Sequence, residues 1–252
     1  MFNILRARVN QGSQYIPDVR SARVGEKFRG LPVIDEEKLK EAGPACRDIC
    51  PTQAISLDPL RLDLGRCLFC GDCARACPEA IRFTNFHKIA SSEREYLVIG
   101  KDKTPGNYQA AAILAKRSIR KIFGRSLKLR QVSAGGCNAC EMELNASSNV
   151  NFDIGRFGVD FVASPRHADG LVITGPVTEN MAQALEDATQ ATPDPKLIVA
   201  VGTCAISGGL FASSPAIKRE YFQQHPIDLY VPGCPIHPLT FVNGILDLLG
   251  RK

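Results

Sequence analysis

Several features that would indicate other classes of protein are missing from this sequence of 252 residues. No run of about 18 apolar residues occurs, so nothing predicts a membrane-spanning helix. Arg6 and Arg8 near the start are not followed by an apolar stretch, so no secretory signal is evident and we expect a cytosolic address. Tryptophan is absent and aromatic residues are few, at 7%. With no nucleic-acid-binding signature either, we expect no nucleic acid partner.

Charge is distributed unevenly along the chain. Residues 1–130 contain 24 Lys and Arg against 14 Asp and Glu, whereas residues 131–252 contain 7 against 12. Residues 107–124 have apolar residues at helical spacing, and the stretch 107–130 carries seven basic residues and no acidic one. This stretch predicts either a helix with a solvated face or a basic amphipathic helix that lies on an anionic partner or membrane surface.

Ten cysteines are present, and they fall into two sets. Without a secretory signal, cysteines at short regular spacing indicate metal ligands rather than disulfides. The first set contains C-x2-C-x2-C-x3-C-P from Cys67 to Pro78, the run of bacterial ferredoxins, whose last cysteine ligates a second cluster. A more distant cysteine completes the first cluster. The predicted [4Fe–4S] ligands are Cys50, Cys67, Cys70 and Cys73.

The upstream partner of this motif is incomplete. Counting back from Cys46, its first two cysteines would fall where Lys40 and Gly43 stand. Only Cys46 and Cys77 remain for a second ferredoxin-type cluster, and two thiolates are too few to hold one. We therefore expect that cluster to be lost. Cys46 and Cys77 should face each other, either as buried thiols or as a disulfide.

The second set of cysteines lies among glycine-containing segments. Cys137 and Cys140 form a C-x2-C pair after two glycines, and Cys204 and Cys234 each follow a predicted strand. Glycine lets the backbone approach a cubane closely, and backbone N–H groups can point at its sulfurs. The alternative is structural zinc, although such sites usually combine two paired knuckles. We predict a second [4Fe–4S] cluster here.

The second half of the chain has the pattern of an α/β domain. Runs rich in Val, Ile and Leu recur at 159–163, 171–174, 197–201 and 229–231, with helical stretches at 180–189 and 239–249. They predict a buried parallel sheet, in which ligands gather at the carboxyl ends of the strands. We expect an extended N-terminal arm (1–40), a ferredoxin-like α+β domain (41–88), a connector with the basic amphipathic helix (89–126) and a flavodoxin-like α/β domain (127–252).

Four motifs of the second half resemble one known family. They are CNACEME at 137–143, SPRHAD at 164–169, GTCAISGG at 202–209 and GCP at 233–235. Together they resemble the small subunit of energy-converting, membrane-bound [NiFe]-hydrogenases, including formate hydrogenlyase, which is homologous to the complex I subunit that carries the terminal cluster. The C-x2-C spacing, in place of adjacent cysteines, and His167 favour the hydrogenase side. Residues 1–5, 27–30 and 67–73 resemble a polyferredoxin-like subunit of formate hydrogenlyase, so the chain resembles a fusion of two subunits.

The resemblance implies an electron-transfer subunit of an oxidoreductase complex that is not catalytic alone. It would relay electrons between a donor, such as a ferredoxin or formate dehydrogenase, and the active site of a hydrogenase large subunit. Membrane-arm subunits would be further partners, at the cytoplasmic face of the inner membrane. The alternatives are a quinone-reducing module of complex I type and a non-redox zinc protein.

Three residues outside the cysteines are candidates for supporting roles. The resemblance implies a proton path for Glu143, although a favourable position near a helix N-terminus explains it equally well. Arg166 and His167 would tune the potential of the second cluster, or are surface loop residues.

Overall fold

Short helices and strands follow one another through the part of the chain that the computed structural model describes, namely residues 2–12, 14–100, 103–111 and 117–251. The first half contains α1 (Phe2–Gln11), β1 (Pro32–Ile34), α2 (Glu36–Ala42), α3 (Pro44–Asp48), β2 (Ile55–Leu57), β3 (Leu60–Asp63), α4 (Asp72–Ala76), β4 (Ile81–Phe83), β5 (Val98–Ile99), α5 (Pro105–Ala111) and α6 (Arg117–Phe123). The second half contains β6 (Leu127–Ser133), α7 (Ala139–Ala146), β7 (Val159–Phe161), β8 (Gly170–Thr174), α8 (Glu179–Ala191), β9 (Leu197–Val201), α9 (Gly202–Ser207), α10 (Tyr221–Gln224), β10 (Leu229–Val231) and α11 (Pro238–Leu249).

The prediction of one extended arm over residues 1–40 is wrong in two places. Residues 2–11 form helix α1, because this stretch contains no proline or glycine and many of its residues favour helix. None of the side chains of α1 is buried. Residues 32–34 and 36–42 form β1 and α2, where Asp35 caps the helix by accepting a hydrogen bond from the Lys38 backbone N–H.

The segment between α1 and β1 is anchored on α11. Val19 is buried in the core of the second half, and its carbonyl accepts a hydrogen bond from Asn243 Nδ2 at 3.0 Å. Arg20 Nη1 lies 2.6 Å from Asp247 Oδ1. The chain therefore crosses the second half before it reaches the first cysteine set.

Two small antiparallel sheets surround the first cysteine set. Strand β1 pairs with β4, from Pro32 opposite Phe83 to Ile34 opposite Ile81. Strands β2, β3 and β5 form the other sheet in that order. Helices α3 and α4 contact each other between these sheets. Helix α3 contains Cys46 and α4 contains Cys73, so their packing brings cysteines of the first set together.

A five-stranded parallel sheet forms the centre of the second half. Its strand order is β10-β9-β8-β6-β7. Every residue of β8 and β9 is buried, as expected where helices cover both faces of a sheet. The α/β domain with a parallel sheet is therefore confirmed, and it is consistent with a flavodoxin-like core. After β6, the chain first adds β7 on one side of that strand and then β8 on its other side. Folds of this kind bind ligands where the strand order changes direction in this way.

The two halves share their hydrophobic cores. On one sheet face, Ile119 and Phe123 of α6 pack with residues of α11. On the other face, Ala205 and Ile206 of α9 pack with the residues around the first cysteine set. A pair of backbone bonds between Ser91 and Tyr230 adds a further link. The halves are therefore fixed relative to each other by buried contacts rather than by a linker.

The predicted helix over 107–124 corresponds to α5 and α6, and residues 112–116 between them lie outside the described residues. Ile119 and Phe123 are buried, whereas Ile122 is 53% exposed. Lys116, part of the basic stretch, is among the undescribed residues. In the described ranges no helix is both long enough and apolar enough to cross a bilayer.

Candidate metal centres

The first cysteine set comes together in one cavity. Two of these cysteines lie on the loop that leads from β3 into α4, one lies in the first turn of α4, and one follows α3. Ile55, Leu62 and Phe83 supply an apolar wall. The four cysteines that line this cavity are Cys50, Cys67, Cys70 and Cys73. The sequence predicts this group of ligands, and the fold brings its four members to one place.

The surroundings of these thiols favour a bound metal over free thiolates. Burial raises the pKa of Cys67 well above its usual value. Burial also raises the pKa of Cys73 to about 11, and the neighbouring Cys50 and Cys70 add to the effect. Backbone N–H groups point at sulfur, since Phe69 N lies 3.3 Å from Cys67 Sγ and Ala54 N lies 3.3 Å from Cys50 Sγ. Because metal ligands must be deprotonated, loading this site releases protons.

Cys46 and Cys77 form a disulfide beside the first set. Cys46 lies on α3 and Cys77 directly follows α4, so the bond joins these two helices. Both residues are buried. Of the two alternatives that the sequence leaves open, a pair of thiols and a disulfide, the fold has the disulfide.

The second cysteine set gathers at the carboxyl edge of the parallel sheet. Cys137 and Cys140 follow β6, Cys204 follows β9 and Cys234 follows β10. Burial raises the pKa of Cys140 to about 12, although a backbone hydrogen bond from Ile236 opposes the shift. Burial, with the nearby thiols Cys234 and Cys137, raises the pKa of Cys204 to about 11. Because the carboxyl ends of parallel strands meet at one edge of a sheet, thiols from three segments lie at the same edge.

Two glycines make room for these thiols. Gly202 has a φ of +85°, and a Cβ there would lie 2.5 Å from Cys140 Sγ. A Cβ at Gly209 would lie 3.1 Å from Cys204 Sγ. The backbone therefore passes against the sulfurs at positions that only glycine fills without a clash. Cys137 and Cys234 are exposed, so one side of the group is open to a partner molecule.

The thiol donor sets fit iron–sulfur clusters. Among the described residues, no group of three or more His, Cys, Asp or Glu side chains is arranged to hold one metal ion. A zinc ion needs four donors at about 2.0–2.3 Å from one point. A cubane has four separate iron corners and spreads its four thiolates more widely. Each site offers four cysteines and N–H groups directed at sulfur, which is the chemistry that such clusters use.

A buried carboxylate that the sequence analysis missed lies beside Cys140. Glu141 accepts hydrogen bonds from Ser133 Oγ and Thr174 Oγ1, both at 2.6 Å. It is 4% exposed, and its position directly after a cysteine in the first turn of α7 is the signal that could have revealed it. Glu143, which the sequence singles out, is half-buried, and burial raises its pKa.

Arg166 and His167 are exposed in a short 3-10 turn, Pro165–His167, that precedes β8. The cysteines instead follow the carboxyl ends of strands. A role for Arg166 and His167 in tuning the second cluster stays a prediction.

Two histidines to which the sequence gives no weight lie near each other. The ring centroids of His87 and His237 are 6.4 Å apart, and His237 also contacts Phe28. Burial lowers the pKa of His87 to about 4, and its Nε2 atom has no hydrogen-bond partner in the part of the chain that is described. His237 follows Cys234 by three residues, so this pair adjoins the second cysteine set.

Comparison with known proteins agrees with this arrangement. The family model of the NADH ubiquinone oxidoreductase 20 kDa subunit matches residues 137–248. A probable membrane-bound hydrogenase subunit of Pyrococcus furiosus is 40% identical over 131 residues, which are 52% of this chain and 78% of that protein. Formate hydrogenlyase subunit 7 of Escherichia coli is 41% identical, over 54% of this chain and 53% of its own length. An NADH-quinone oxidoreductase subunit of Heliobacterium modesticaldum is 40% identical, over 47% of this chain and 68% of that protein.

These relatives are components of oxidoreductase complexes, and they fit the predicted function of an electron-transfer subunit of a hydrogenase-type complex. Proteins of the matched family carry an iron–sulfur cluster. The chain belongs to the family of the 20 kDa subunit of NADH:ubiquinone oxidoreductase.

Proposed function

We propose that this chain relays electrons through two [4Fe–4S] clusters, between a donor and the large-subunit active site of a membrane-bound hydrogenase-type complex. The first cluster would be held by Cys50, Cys67, Cys70 and Cys73, and the second by Cys137, Cys140, Cys204 and Cys234. One observation supports the proposal: four cysteines line one cavity and four more follow strands at the carboxyl edge of the parallel sheet, in a chain that belongs to a family of electron-transfer subunits.

A [4Fe–4S] cluster supplies one-electron oxidation and reduction when bound. The contribution of the chain is to position, insulate and tune that group. Thiolates hold the irons, and backbone N–H groups such as those of Phe69 and Ala54 stabilise negative charge on sulfur. The apolar wall of the first site keeps water from the cluster, which affects its potential.

The first half of the chain is proposed to be a ferredoxin-like domain over residues 41–88, joined in one chain to a hydrogenase small-subunit domain over 127–252. Supporting this division, the paired helices α3 and α4 lie between small antiparallel sheets, and residues 1–136 lie outside the range that the family model matches. The disulfide between Cys46 and Cys77 occupies the position where a second ferredoxin-type cluster would need two further ligands. The first half would therefore hold one cluster.

The open side of the second site is proposed to face the large subunit. Exposed Cys137 and Cys234 are accompanied by exposed apolar side chains, and these are Met142, Leu210 and Phe211. A surface that combines a redox group with exposed apolar residues suits a permanent partner. The names of two relatives, a membrane-bound hydrogenase subunit and a formate hydrogenlyase subunit, favour a hydrogenase partner.

We further propose a peripheral position at the cytoplasmic face of the membrane, with the basic stretch 107–130 against membrane-arm subunits or anionic headgroups. Seven basic residues without an acidic one would contribute about 1 kcal/mol each near an anionic surface. The upstream donor would be a ferredoxin or a formate dehydrogenase.

A quinone-reducing complex of complex I type is the second candidate. It is favoured by relatives that are named as subunits of NADH-quinone oxidoreductase. The C-x2-C spacing of Cys137 and Cys140 favours the hydrogenase type instead. The partner large subunit distinguishes the two, because only a hydrogenase large subunit carries cysteine pairs for nickel.

The proposal is tested by removing one ligand from each site in the full chain. We expect Cys50→Ala to remove or convert one electron paramagnetic resonance (EPR) signal of the reduced protein and Cys204→Ala to remove or convert the other. The matched control is Cys46→Ala combined with Cys77→Ala, which removes two buried cysteines and should leave both signals. If both ligand variants keep both signals unchanged, the assignment is refuted. The chain alone should evolve no hydrogen with a reduced dye.

A further inference from the structure

One threonine joins the two cysteine sets by a hydrogen bond. The hydroxyl of Thr203 donates a hydrogen bond to the carbonyl oxygen of Cys67 at 2.7 Å. Thr203 is covalently joined to Cys204. A ligand-bearing residue of the first site is thus connected to one of the second site by a single hydrogen bond and a short stretch of backbone.

Thr203 also holds the third segment of the second site. Its backbone N–H donates to the Gly233 carbonyl at 2.9 Å, and its hydroxyl lies 3.2 Å from the same oxygen. A hydroxyl has one proton, so the shorter contact to Cys67 takes it. Gly233 directly precedes Cys234. Thr203, which is 1% exposed, therefore bonds segments that carry three of the eight proposed ligands.

The loop that presents the Cys67 carbonyl is held rigidly against α9. A Cβ at Gly65 would lie 2.8 Å from Ile206 Cγ2, so loop and helix are in close contact there. Asp63 fixes the loop, because its Oδ1 accepts from Gly65 N at 2.8 Å and its carbonyl accepts from Cys67 N at 2.9 Å. Arg94 Nη2 in turn holds Asp63 Oδ2 at 2.6 Å. The hydrogen bond from Thr203 thus joins two ordered elements.

The other close approach lacks such a connection. Phe69, which lies between Cys67 and Cys70 in the chain, and Cys234 of the second site line the same cavity. Among the described residues no hydrogen bond joins them. The cationic residues Lys27 and Arg29 also line this cavity. The route through Thr203 is buried and contains the hydrogen bond between Thr203 and the Cys67 carbonyl.

We propose that Thr203 is a positioning residue that fixes the separation of the two clusters and provides the bonded route for electrons between Cys67 and Cys204. The inference rests on the proposed function, because it requires a cluster at both sites. One electron leaves the cluster at one site and reduces the cluster at the other. No bond forms or breaks, and the hydroxyl proton stays on Thr203.

The test uses the full chain with both clusters, reduced with less than one electron per molecule by a low-potential dye. Freeze-quench EPR then follows how the electron redistributes between the two spectrally distinct clusters. Thr203→Val keeps the shape and removes the hydroxyl, whereas Thr203→Ser keeps the hydroxyl. The matched control is Thr240→Val, because Thr240 is equally buried and also donates to a backbone carbonyl, that of His87 at 2.8 Å.

We expect Thr203→Val to slow redistribution by roughly tenfold, because a longer van der Waals contact replaces the hydrogen bond in the route between Cys67 and Cys204. In separate, fully reduced samples of the same variant, the magnetic coupling between the two clusters should weaken. Thr203→Ser and Thr240→Val should match the wild type. A merely structural threonine would lower stability without changing either readout in loaded protein.

The inference is overturned if Thr203→Val holds both clusters and redistributes electrons at the wild-type rate. If Thr203→Val does not assemble both clusters, Thr203→Ala is measured in its place by the same criteria. Loss of a cluster in both variants, with normal loading of Thr240→Val, assigns Thr203 a structural role and also overturns the route. A wild-type chain with fewer than two clusters refutes the proposed function itself, which the iron content reveals before any rate is measured.

Discussion

Replacing Gly202 by alanine should remove the second cluster selectively. Gly202 begins α9 with a φ of +85°, a conformation that costs an L-residue about 1–2 kcal/mol. The new Cβ would lie 2.5 Å from Cys140 Sγ. Favourable contacts between such atoms begin at about 3.5 Å, so the sulfur would have to move by about 1 Å. Metal–ligand distances tolerate only about 0.2 Å, and Cys140 could no longer serve as a ligand.

The measurement is iron content and reduced-state EPR of anaerobically purified Gly202→Ala. We expect half of the iron to be lost, together with one EPR signal, while the signal from the first site remains. The matched control is Gly158→Ala, which has a φ of +69° and would place its Cβ 2.6 Å from the Arg125 carbonyl oxygen. It carries comparable strain in the same domain without a thiol nearby, and should keep both clusters. Full iron content and both signals in Gly202→Ala would refute the assignment of Cys140 as a ligand.

Two further predictions concern stability. Burial lowers the pKa of His87 from 6.5 to about 4, so between these values the unfolded chain binds more protons than the folded one. The free energy of unfolding should therefore fall as pH drops from about 6.5 to about 4, by up to about 3 kcal/mol. His87→Gln should flatten that slope in chemical denaturation, and an unchanged slope in this variant would contradict the assignment. Replacing Cys46 and Cys77 by serine removes a disulfide that closes a loop with a sequence separation of 31. Under oxidising conditions the free energy of unfolding should fall by about 3–4 kcal/mol, while the iron content stays unchanged. Loss of a whole cluster would show that these cysteines are ligands.

The sequence predicts those parts of the molecule that depend on local pattern. The β8 and β9 runs are continuous and apolar because helices cover both faces, and a run of that kind can be recognised without knowing what packs on it. The ferredoxin-type spacing likewise fixes which cysteines share a loop. The ferredoxin-type motif and its incomplete upstream partner also predict that Cys46 and Cys77 face each other. They do not predict whether the two cysteines form a disulfide.

Other features depend on contacts between residues far apart in the chain. Thr203 reaches Cys67 across 136 positions, and Thr240 reaches His87 across 153. No local sequence pattern predicts such pairs. Taken alone, each residue is typical of a buried threonine or an isolated histidine. The hydrogen bonds that Glu141 accepts from Ser133 of β6 and Thr174 of β8 also depend on the fold rather than on a local pattern. Helix α1 is not predicted for a different reason. None of its side chains is buried, so its sequence lacks the apolar face by which a packed helix is recognised.

The most direct test of the account is the number and type of metal atoms in the purified chain. Elemental and acid-labile sulfide analysis of anaerobic wild-type protein, with Mössbauer spectroscopy, should give about eight irons and eight sulfides per chain, all in [4Fe–4S] clusters. Four irons would mean that one cysteine set holds no cluster. Twelve irons would mean that Cys46 and Cys77 ligate a third cluster, and zinc in place of iron would contradict the electron-transfer function altogether.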